Sequence, residues 1–415
     1  MRTKPWLWLT ALALLAAVPV LGQPRPLGTE FRVNGNSESK QRNPVAAFSA
    51  AGTALVVWEN EQSGLRGRFY GQDGVPATGE LALVANQKLQ SLPARGVEVV
   101  RTDPAVAFLP SGEFLLAWTE ERSDVSVDIF YEQRDVIDRD VYLQKFSAAG
   151  SPLGAPVRLN GSTSGFQSLP KILVRNGADA IVVWQSQKAG GGNGVFGRYV
   201  RATGEPNGGD FKIASGNAAN PTLAGKPNGN FLVSWEASDG NSLGVFARIF
   251  DGTSNAAIRV NSDVAGLQRR PAAAFDRTSN GWLVVWQGQS DNNPRHSHVF
   301  GQFLGSAGNL VGPQFRVSIG VGPTQISPSV AASANGNFLV TWLDYKEVFP
   351  LGLFGVEIDK LGNAIGSEVA INARQVNAQS RTSLAVTAAG KALIPWEGFT
   401  SSDFHSDIAA RQVEF

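Results

Sequence analysis

Residues 325–342 read QISPSVAASANGNFLVTW, and residues 41–58 read QRNPVAAFSAAGTALVVW. In both, a Gln stands three places before a Pro, a run of small residues follows, and a turn leads into an apolar run ending in Trp. The same phrase recurs along the chain. Trp58, Trp118, Trp184, Trp235, Trp286, Trp342 and Trp396 close the runs ALVVW, FLLAW, AIVVW, FLVSW, WLVVW, FLVTW and ALIPW. Pro44, Pro104, Pro170, Pro221, Pro271 and Pro328 precede them in near-constant phase, with Thr382 in the last copy. Gln41, Gln167, Gln268, Gln325 and Gln379 hold the third place before that position. A repeat of roughly 50–65 residues signals a solenoid, a propeller or an array.

Each unit reads as four short strands. The first follows the Pro, as in PVAAF and PAAAF, and the second is the Trp run. The third is RGRFYG, GVFARIF or VFGQFL, and the fourth is APVRLN, AIRVN or EVAIN. Runs of this length bounded by Gly and Asn turns are strands. Their near-continuous apolar character marks strands buried on both faces. Small residues in the first strand suit the crowded centre of a propeller, and the Trp belongs in the core further out.

The two ends of the chain complete each other. GTEFRVN at 28–34 is a fourth strand without its first three, and SDIAARQVEF at 406–415 is a third strand without its fourth. The expectation is therefore an all-β, seven-bladed β-propeller of four-stranded antiparallel blades. It is closed three-plus-one by the N-terminal strand, which leaves no exposed sheet edge. Residues 23–415 form this single domain.

The pattern Q-x-x-P-x-V-A … G-x-F-L-V-x-W … G-V-F-A-x-x-F-D … E-F-x-V-N resembles the roughly fifty-residue Trp repeat common in large secreted and surface proteins of bacteria. It is similar in plan to WD40-like and sialidase-like propellers, and it covers nearly all of residues 28–415. The sialidase box S-x-D-x-G-x-x-W is not matched, since PNGNFLVSW and ANGNFLVTW lack its Ser and Asp. The resemblance implies a fold, and propellers host unrelated activities.

Residues 1–22 carry Arg2 and Lys4, an uncharged run from Trp6 to Val20, then Leu21 and Gly22. That is the pattern of a secretory signal peptide, with an apolar run too short to span a bilayer. The expected location is secreted, periplasmic or cell-surface. No lipid-anchoring Cys follows, and no membrane span is expected after cleavage. The chain has 0 Cys, which excludes disulfides and thiol chemistry. A net charge of +1 gives no footprint for nucleic acid, and the domain is expected to be a monomer.

The loops joining fourth to first strands, and second to third, gather on one face of a propeller. Here those loops are irregular. Between Glu120 and Asp140 the chain carries Asp124, Asp128 and Asp135 among other carboxylates, interleaved with Arg122, Arg134 and Arg139. An acidic lobe suits Ca²⁺, but the loop matches no Ca²⁺ motif and a lid or extra hairpin is the plainer reading. HSHVFGQF and HSDIAARQ align His296 with His405 and His298 with Asp407, a set suited to Zn²⁺ if the loops converge. Asp344, Tyr345 and Glu347 lie in the loop between them in sequence. No other cofactor is expected. A polar set follows the Trp: Glu59, Gln185, Glu236, Gln287 and Glu397, with Glu120 and Asp344 one place further. Features repeated in every unit serve the fold, and the recurring Gln is expected to satisfy backbone groups between blades. No nucleophile elbow, metalloprotease helix or phosphate loop stands in a suitable context, and GGGNG at 190–194 has no helix after it.

The functional expectation is a non-enzymatic binding propeller whose ligand is a glycan or a surface protein. The alternatives are a hydrolase or lyase acting on polysaccharide through carboxylates or His in the funnel, and a purely structural surface module.

Overall fold

The structure, a computed structural model, describes residues 23–35, 38–92, 95–127, 132–188, 193–253, 256–289, 296–320, 324–346, 349–373, 382–387, 389–399 and 406–415. The expected leader, residues 1–22, lies outside them.

Strand β1 (Arg25–Arg32) precedes a four-stranded sheet of β2 (Gln41–Phe48), β3 (Ala54–Asn60), β4 (Gly64–Tyr70) and β5 (Leu81–Ala85). The next nine strands share one sheet: β6 (Gln87–Leu92), β7 (Arg95–Phe108), β8 (Phe114–Val127), β9 (Glu132–Phe146), β10 (Pro152–Arg158), β11 (Phe166–Val174), β12 (Ala180–Gln187), β13 (Gly194–Val200) and β14 (Pro206–Ser215). Three more four-stranded sheets follow. The first holds β15 (Ala219–Gly225), β16 (Phe231–Ser238), β17 (Leu243–Phe250) and β18 (Ile258–Arg259). The second holds β19 (Gln268–Asp276), β20 (Gly281–Gly288), β21 (His298–Leu304) and β22 (Leu310–Arg316). The third holds β23 (Thr324–Ala332), β24 (Phe338–Lys346), β25 (Phe349–Ile358) and β26 (Ala364–Ala370). The last sheet runs in the order β1, β29 (Ser406–Glu414), β28 (Lys391–Phe399), β27 (Ala385–Val386), so the first and last strands of the chain pair.

The fold is an all-β propeller, but the expected count of seven four-stranded blades is corrected. Among the described residues five sheets have four strands, and the Trp strands β8 and β12 lie together in the nine-stranded one. The inserted residues supply the reason. They lengthen β7 and β8 to 14 residues each and β9 to 15. The lengthened β9 then meets β11 in a parallel pair, Arg139 with Phe166, and hydrogen bonding runs on across the seam. The same insertion answers the lid-or-hairpin reading: Arg95 to Thr102 pairs with Ser126 to Thr119, and β8 pairs with β9 out to Val127 and Glu132, so the sheet projects beyond the body.

The Trp strands are the core. Every residue of β3 is buried, and Trp58, Trp118, Trp184, Trp286, Trp342 and Trp396 are almost wholly enclosed. Neighbouring sheets pack through them: Trp282, Val284 and Trp286 of β20 lie against Leu232 of β16 and Val245, Ala247 and Ile249 of β17. Burying one such side chain stabilises the fold by about 1.5–3 kcal/mol, and no disulfide supplements it.

The fourth-strand phrase E-F-x-V-N holds sheets to one another. Its Asn caps its own sheet: Asn34, Asn160, Asn261 and Asn372 accept the amides of Ile408, Val141, Val245 and Leu353 at 2.7–2.8 Å. Its acidic residue reaches back to the residues that follow the preceding fourth strand. Glu30, Glu80, Asp210 and Glu368 accept the amides of Ala373, Gly35, Gly161 and Gly320 at 2.8–3.0 Å. Strand β1 takes part on both sides, through Glu30 towards the sheet before it and through Gly35 towards the sheet after it.

Replacing Asn34 removes an acceptor for a buried amide and a partner of buried Asp407. Asn34→Ala is expected to lower stability by about 1–3 kcal/mol in urea unfolding. An unchanged midpoint would place β1 outside the closing sheet.

Candidate functional site

Among the described residues six inner strands carry the same distortion at one end. The residue before the recurring Pro is left-handed: Asn43 (φ 48°), Asp103 (51°), Leu169 (57°), Asn220 (49°), Arg270 (51°) and Ser327 (53°). The register of each inner strand slips across it, for example between Arg42 and Val45 and between Arg269 and Ala272. Asn and Asp tolerate this conformation, whereas Leu, Arg and Ser adopt it at a cost.

In four of these the amide turns towards the preceding Trp strand. The acceptor is the residue after the Trp. Asp103 N donates to Glu59 Oε1 (2.5 Å), Leu169 N to Thr119 Oγ1 (3.2 Å), Asn220 N to Gln185 Oε1 (3.1 Å) and Arg270 N to Glu236 Oε2 (2.8 Å). Side chains close the chain of bonds within a unit. Asn43 Nδ2 donates to Glu59 Oε1 (2.8 Å), and Asn220 Nδ2 donates to Glu236 Oε1 (2.7 Å). These carboxylates, part of the polar set expected to serve the fold, are occupied by inter-strand bonds.

The recurring Gln does more than bridge backbone groups. Gln41, Gln167 and Gln268 accept the indole N–H of Trp58, Trp184 and Trp286 at 2.8, 3.2 and 2.9 Å. Their amide nitrogens donate to carbonyls of the connecting loop, as Gln41 does to Ser39 and Gln268 to Ala265.

The sixth Trp unit departs from this. Gln325 Oε1 lies 2.7 Å from His298 Nδ1 and 3.1 Å from Ser318 Oγ, and its amide reaches Asp344 Oδ2 at 3.4 Å. Among the described residues the indole N–H of Trp342 and Oδ1 of Asp344 are buried without a partner. The residue after this Trp is Leu343, so no acceptor stands in the usual place. Asp344 pairs with Gln325 across the strands, where other units put Asn60, Ser186 or Gly288. Burial pushes the Asp344 carboxyl up to about 6, with Gln325 opposing and Glu368 reinforcing the rise. Burial also raises the Tyr345 hydroxyl, which Arg270 partly opposes.

Two cavities occupy the centre. The narrower, about 280 Å³, runs along small residues of the inner strands such as Val45, Ala46 and Ala105, reaches Asn43 and Asp103, and shares Leu169, Lys171 and Thr382 with the wider. The wider, about 460 Å³, opens at the level of the left-handed residues and is lined by Asn220, Arg270, Ser327, Ser329, Lys171 and Thr382 among others. Arg270 Nη1 donates to Ser327 Oγ across the two sheets at 2.8 Å.

The residues singled out from sequence scatter. His298 opens β21, whereas Asp407 lies in β29, buried against Asn34 Nδ2 at 2.7 Å. His296 stands two residues before β21, and His405 lies outside the described residues. No group of three metal-ligating side chains converges among the described residues. Asp124 and Asp135 face each other on the projecting sheet, and Asp128 lies outside the described residues. Other carboxylates of that segment are paired: Glu121 with Arg139 at 2.7 Å, Glu120 with Arg101 at 3.1 Å, and Glu98 with Arg134. Asp344 and Tyr345 sit on β24, outside the linings of both central cavities, and Glu347 lies outside the described residues. Sequence reading passed over Lys171, Asn220, Arg270 and Ser327. Their signal was the place immediately before or after the recurring Pro.

The raised Asp344 carboxyl has a pH consequence. Its proton is bound more tightly in the folded chain than at the ordinary value of 3.8, so its stabilising contribution is complete below that value and is lost as pH rises through about 6. Asp344→Asn is therefore expected to match the parent near pH 4 and to exceed it by about 1 kcal/mol above pH 7, after allowance for screening. Chemical denaturation across pH checks this, and an offset independent of pH would contradict it.

No protein-family model matches the chain, and no curated protein matches it in sequence. Solved structures match in fold. A Dyadobacter fermentans protein of unknown function aligns at TM-score 0.55 and 11% identity, over 80% of this chain and 98% of its own. The NanB sialidase of Streptococcus pneumoniae aligns at TM-score 0.52 and 7% identity, over 78% and 68%. The intramolecular trans-sialidase of Ruminococcus gnavus aligns at TM-score 0.50 and 9% identity, over 76% and 93%. At these identities the likeness establishes a propeller fold and nothing further.

Proposed function

We propose that this chain is an exported propeller that binds a glycan at the mouth of its central cavity. One observation carries the reading. The cavity of about 460 Å³ is lined by Ser327, Ser329, Asn220, Arg270 and Lys171, which carry hydroxyl, amide and cationic groups. A sugar ring presents many hydroxyls that both donate and accept, and a mixed rim of amides, hydroxyls and fixed cations answers them. The rim is also pre-formed, because the inner-strand bonds that hold the sheets fix the backbone on which these side chains stand. Two of the similar folds are a sialidase and a trans-sialidase, which accords with a sugar ligand. The leader pattern supports export, and no helix among the described residues is long and apolar enough to cross a membrane.

A second reading, a hydrolase or lyase on polysaccharide, draws on Asp344 and Glu368. Both carboxylates come within 4 Å of the position a side chain on Gly320 would take. Yet Glu368 is engaged by the amides of Ile319 and Gly320, and Asp344 is 6% exposed. Neither is among the residues lining the wider cavity, so binding is preferred to turnover.

Calorimetric titration of the purified chain with plant and bacterial oligosaccharides tests the proposal. At least one sugar is expected to bind, Asn220→Ala is expected to weaken it about tenfold, and exposed Leu361→Ser, in a turn at the opposite end of the strands, is expected to leave it unchanged. Binding unaffected by Asn220→Ala, or none across the panel, would overturn it. Release of reducing or unsaturated ends from a bound sugar would transfer support to the second reading.

A further inference from the structure

Between the fifth and sixth Trp units, three positions of the repeat change type together. Where Asn34, Asn160, Asn261 and Asn372 cap their sheets, Ser318 stands and accepts the amide of Val299 at 2.9 Å. Where Asp140 and Asp407 receive that Asn, His298 stands. Two places after the Trp, where Asn60, Ser186 and Gly288 stand in other units, Asp344 stands. Gln325 joins the three. Its Oε1 accepts from His298 Nδ1 at 2.7 Å and from Ser318 Oγ at 3.1 Å, and its Nε2 donates to Asp344 Oδ2 at 3.4 Å. That oxygen is thereby drawn off the indole, which Gln41, Gln167 and Gln268 hold in their own units.

A donor and an acceptor are left over. Trp342 Nε1–H and Asp344 Oδ1 are both buried without a partner among the described residues. They belong to residues two places apart on β24, whose side chains leave the same face of the strand. In the first unit the same two positions meet on one atom: Trp58 Nε1 and Asn60 Nδ2 both donate to Gln41 Oε1, at 2.8 and 3.2 Å. With that oxygen drawn away, their counterparts Trp342 and Asp344 are each other's nearest remedy. A buried donor without an acceptor is costly, and a buried carboxylate without donors is more so. Three titratable groups among the described residues face Asp344. Glu368 of β26 shares with it the space beside Gly320, His298 of β21 reaches it through Gln325, and Tyr345 is its neighbour on β24, itself acted on by Arg270 and Glu397. Opposite Asp344 on β25 stands Gly352, which brings no charge.

We infer that Asp344, Gln325 and Trp342 form a proton-operated latch between the fifth and sixth units. With its carboxyl neutral, Asp344 keeps the arrangement above, held by Gln325 Nε2 alone. When the proton leaves, the carboxylate turns to accept Trp342 Nε1–H while Gln325 Nε2 goes on donating, so two donors meet the charge. An ionised carboxylate only accepts, and like-charged Glu368 disfavours the old position. His298 Nδ1–H and Ser318 Oγ–H hold Gln325 Oε1 in both states, which keeps that oxygen from competing for the indole. The latch stands at the root of the stretch Ile326–Ser329, which lines the wider cavity.

Indole N–H NMR of the folded chain, isotopically labelled at Trp and followed between about pH 4 and pH 8, tests the latch, with Trp342→Phe to assign the signal. The Trp342 N–H is expected to move to lower field as pH rises, with a midpoint at about 6, because a charge-assisted bond forms. The indoles of Trp58, Trp184 and Trp286, already held by Gln, are expected to stay where they are. Asp344→Asn keeps the shape of the side chain and should abolish the movement. An unperturbed imidazole titrates at about 6.5, in the same range, so His298→Asn separates the two groups: the movement should survive in it. A Trp342 signal that stays fixed across the range in the parent, one that titrates unchanged in Asp344→Asn, or one whose titration vanishes in His298→Asn would overturn the inference. The readout needs no sugar, so it stands apart from the glycan reading.

Discussion

One contact organises the centre of this propeller: the residue after a Trp accepts the amide of a left-handed residue in the next inner strand. Burial of the Trp brings that acceptor to the edge of the channel, and the Pro that follows the left-handed residue removes a competing donor. An amide turned out of its own ladder is costly unless something receives it, and Glu59, Thr119, Gln185 and Glu236 receive it. The fourth-strand acids Glu30, Glu80, Asp210 and Glu368 make a second set of bonds further out. Together these replace the covalent cross-links that a chain without Cys cannot have.

Much of this could be read from the residues. The Trp run, the small first strand and the turn before the Trp are local patterns, and local patterns translate directly into strands. The pairing of β1 with β29 was legible because each terminal segment lacks what the other supplies. The separateness of the sheets was not. It depends on whether Arg139 and Phe166 come close enough to pair, which strand length decides and residue type does not. The Gln was read as a backbone partner because its spacing from the Trp says nothing about which way the amide points; it points to the indole. The place before the Pro went unread because Asn, Asp, Leu, Arg and Ser share no chemistry there. They share a backbone shape, which the slip in register creates.

The same regularity makes the exceptions informative. In the sixth Trp unit Leu343 replaces the acceptor, Gln325 turns to His298 and Ser318, and Asp344 is left buried with an oxygen unpartnered among the described residues. In the fifth, the cation Arg270 occupies a left-handed position that Asn, Asp, Leu or Ser fills elsewhere. Arg270 lines the wider cavity, and Gln325, Leu343 and Asp344 stand outside its lining. On the projecting sheet Glu98, Glu120, Glu121 and Asp140 are paired with Arg, and Asp407 bonds to Asn34 in the closing sheet. Function in this chain is therefore sought where a repeated structural rule is broken, rather than where charged residues are dense.

Amide hydrogen exchange with and without a bound oligosaccharide tests the central claim most directly, because the same amides that hold the sheets frame the proposed mouth. The account predicts ligand-induced protection in peptides covering 168–172, 219–223, 269–272 and 326–329. Protection confined to the projecting sheet, residues 87–102 and 119–140, with the inner strands unchanged, would contradict it.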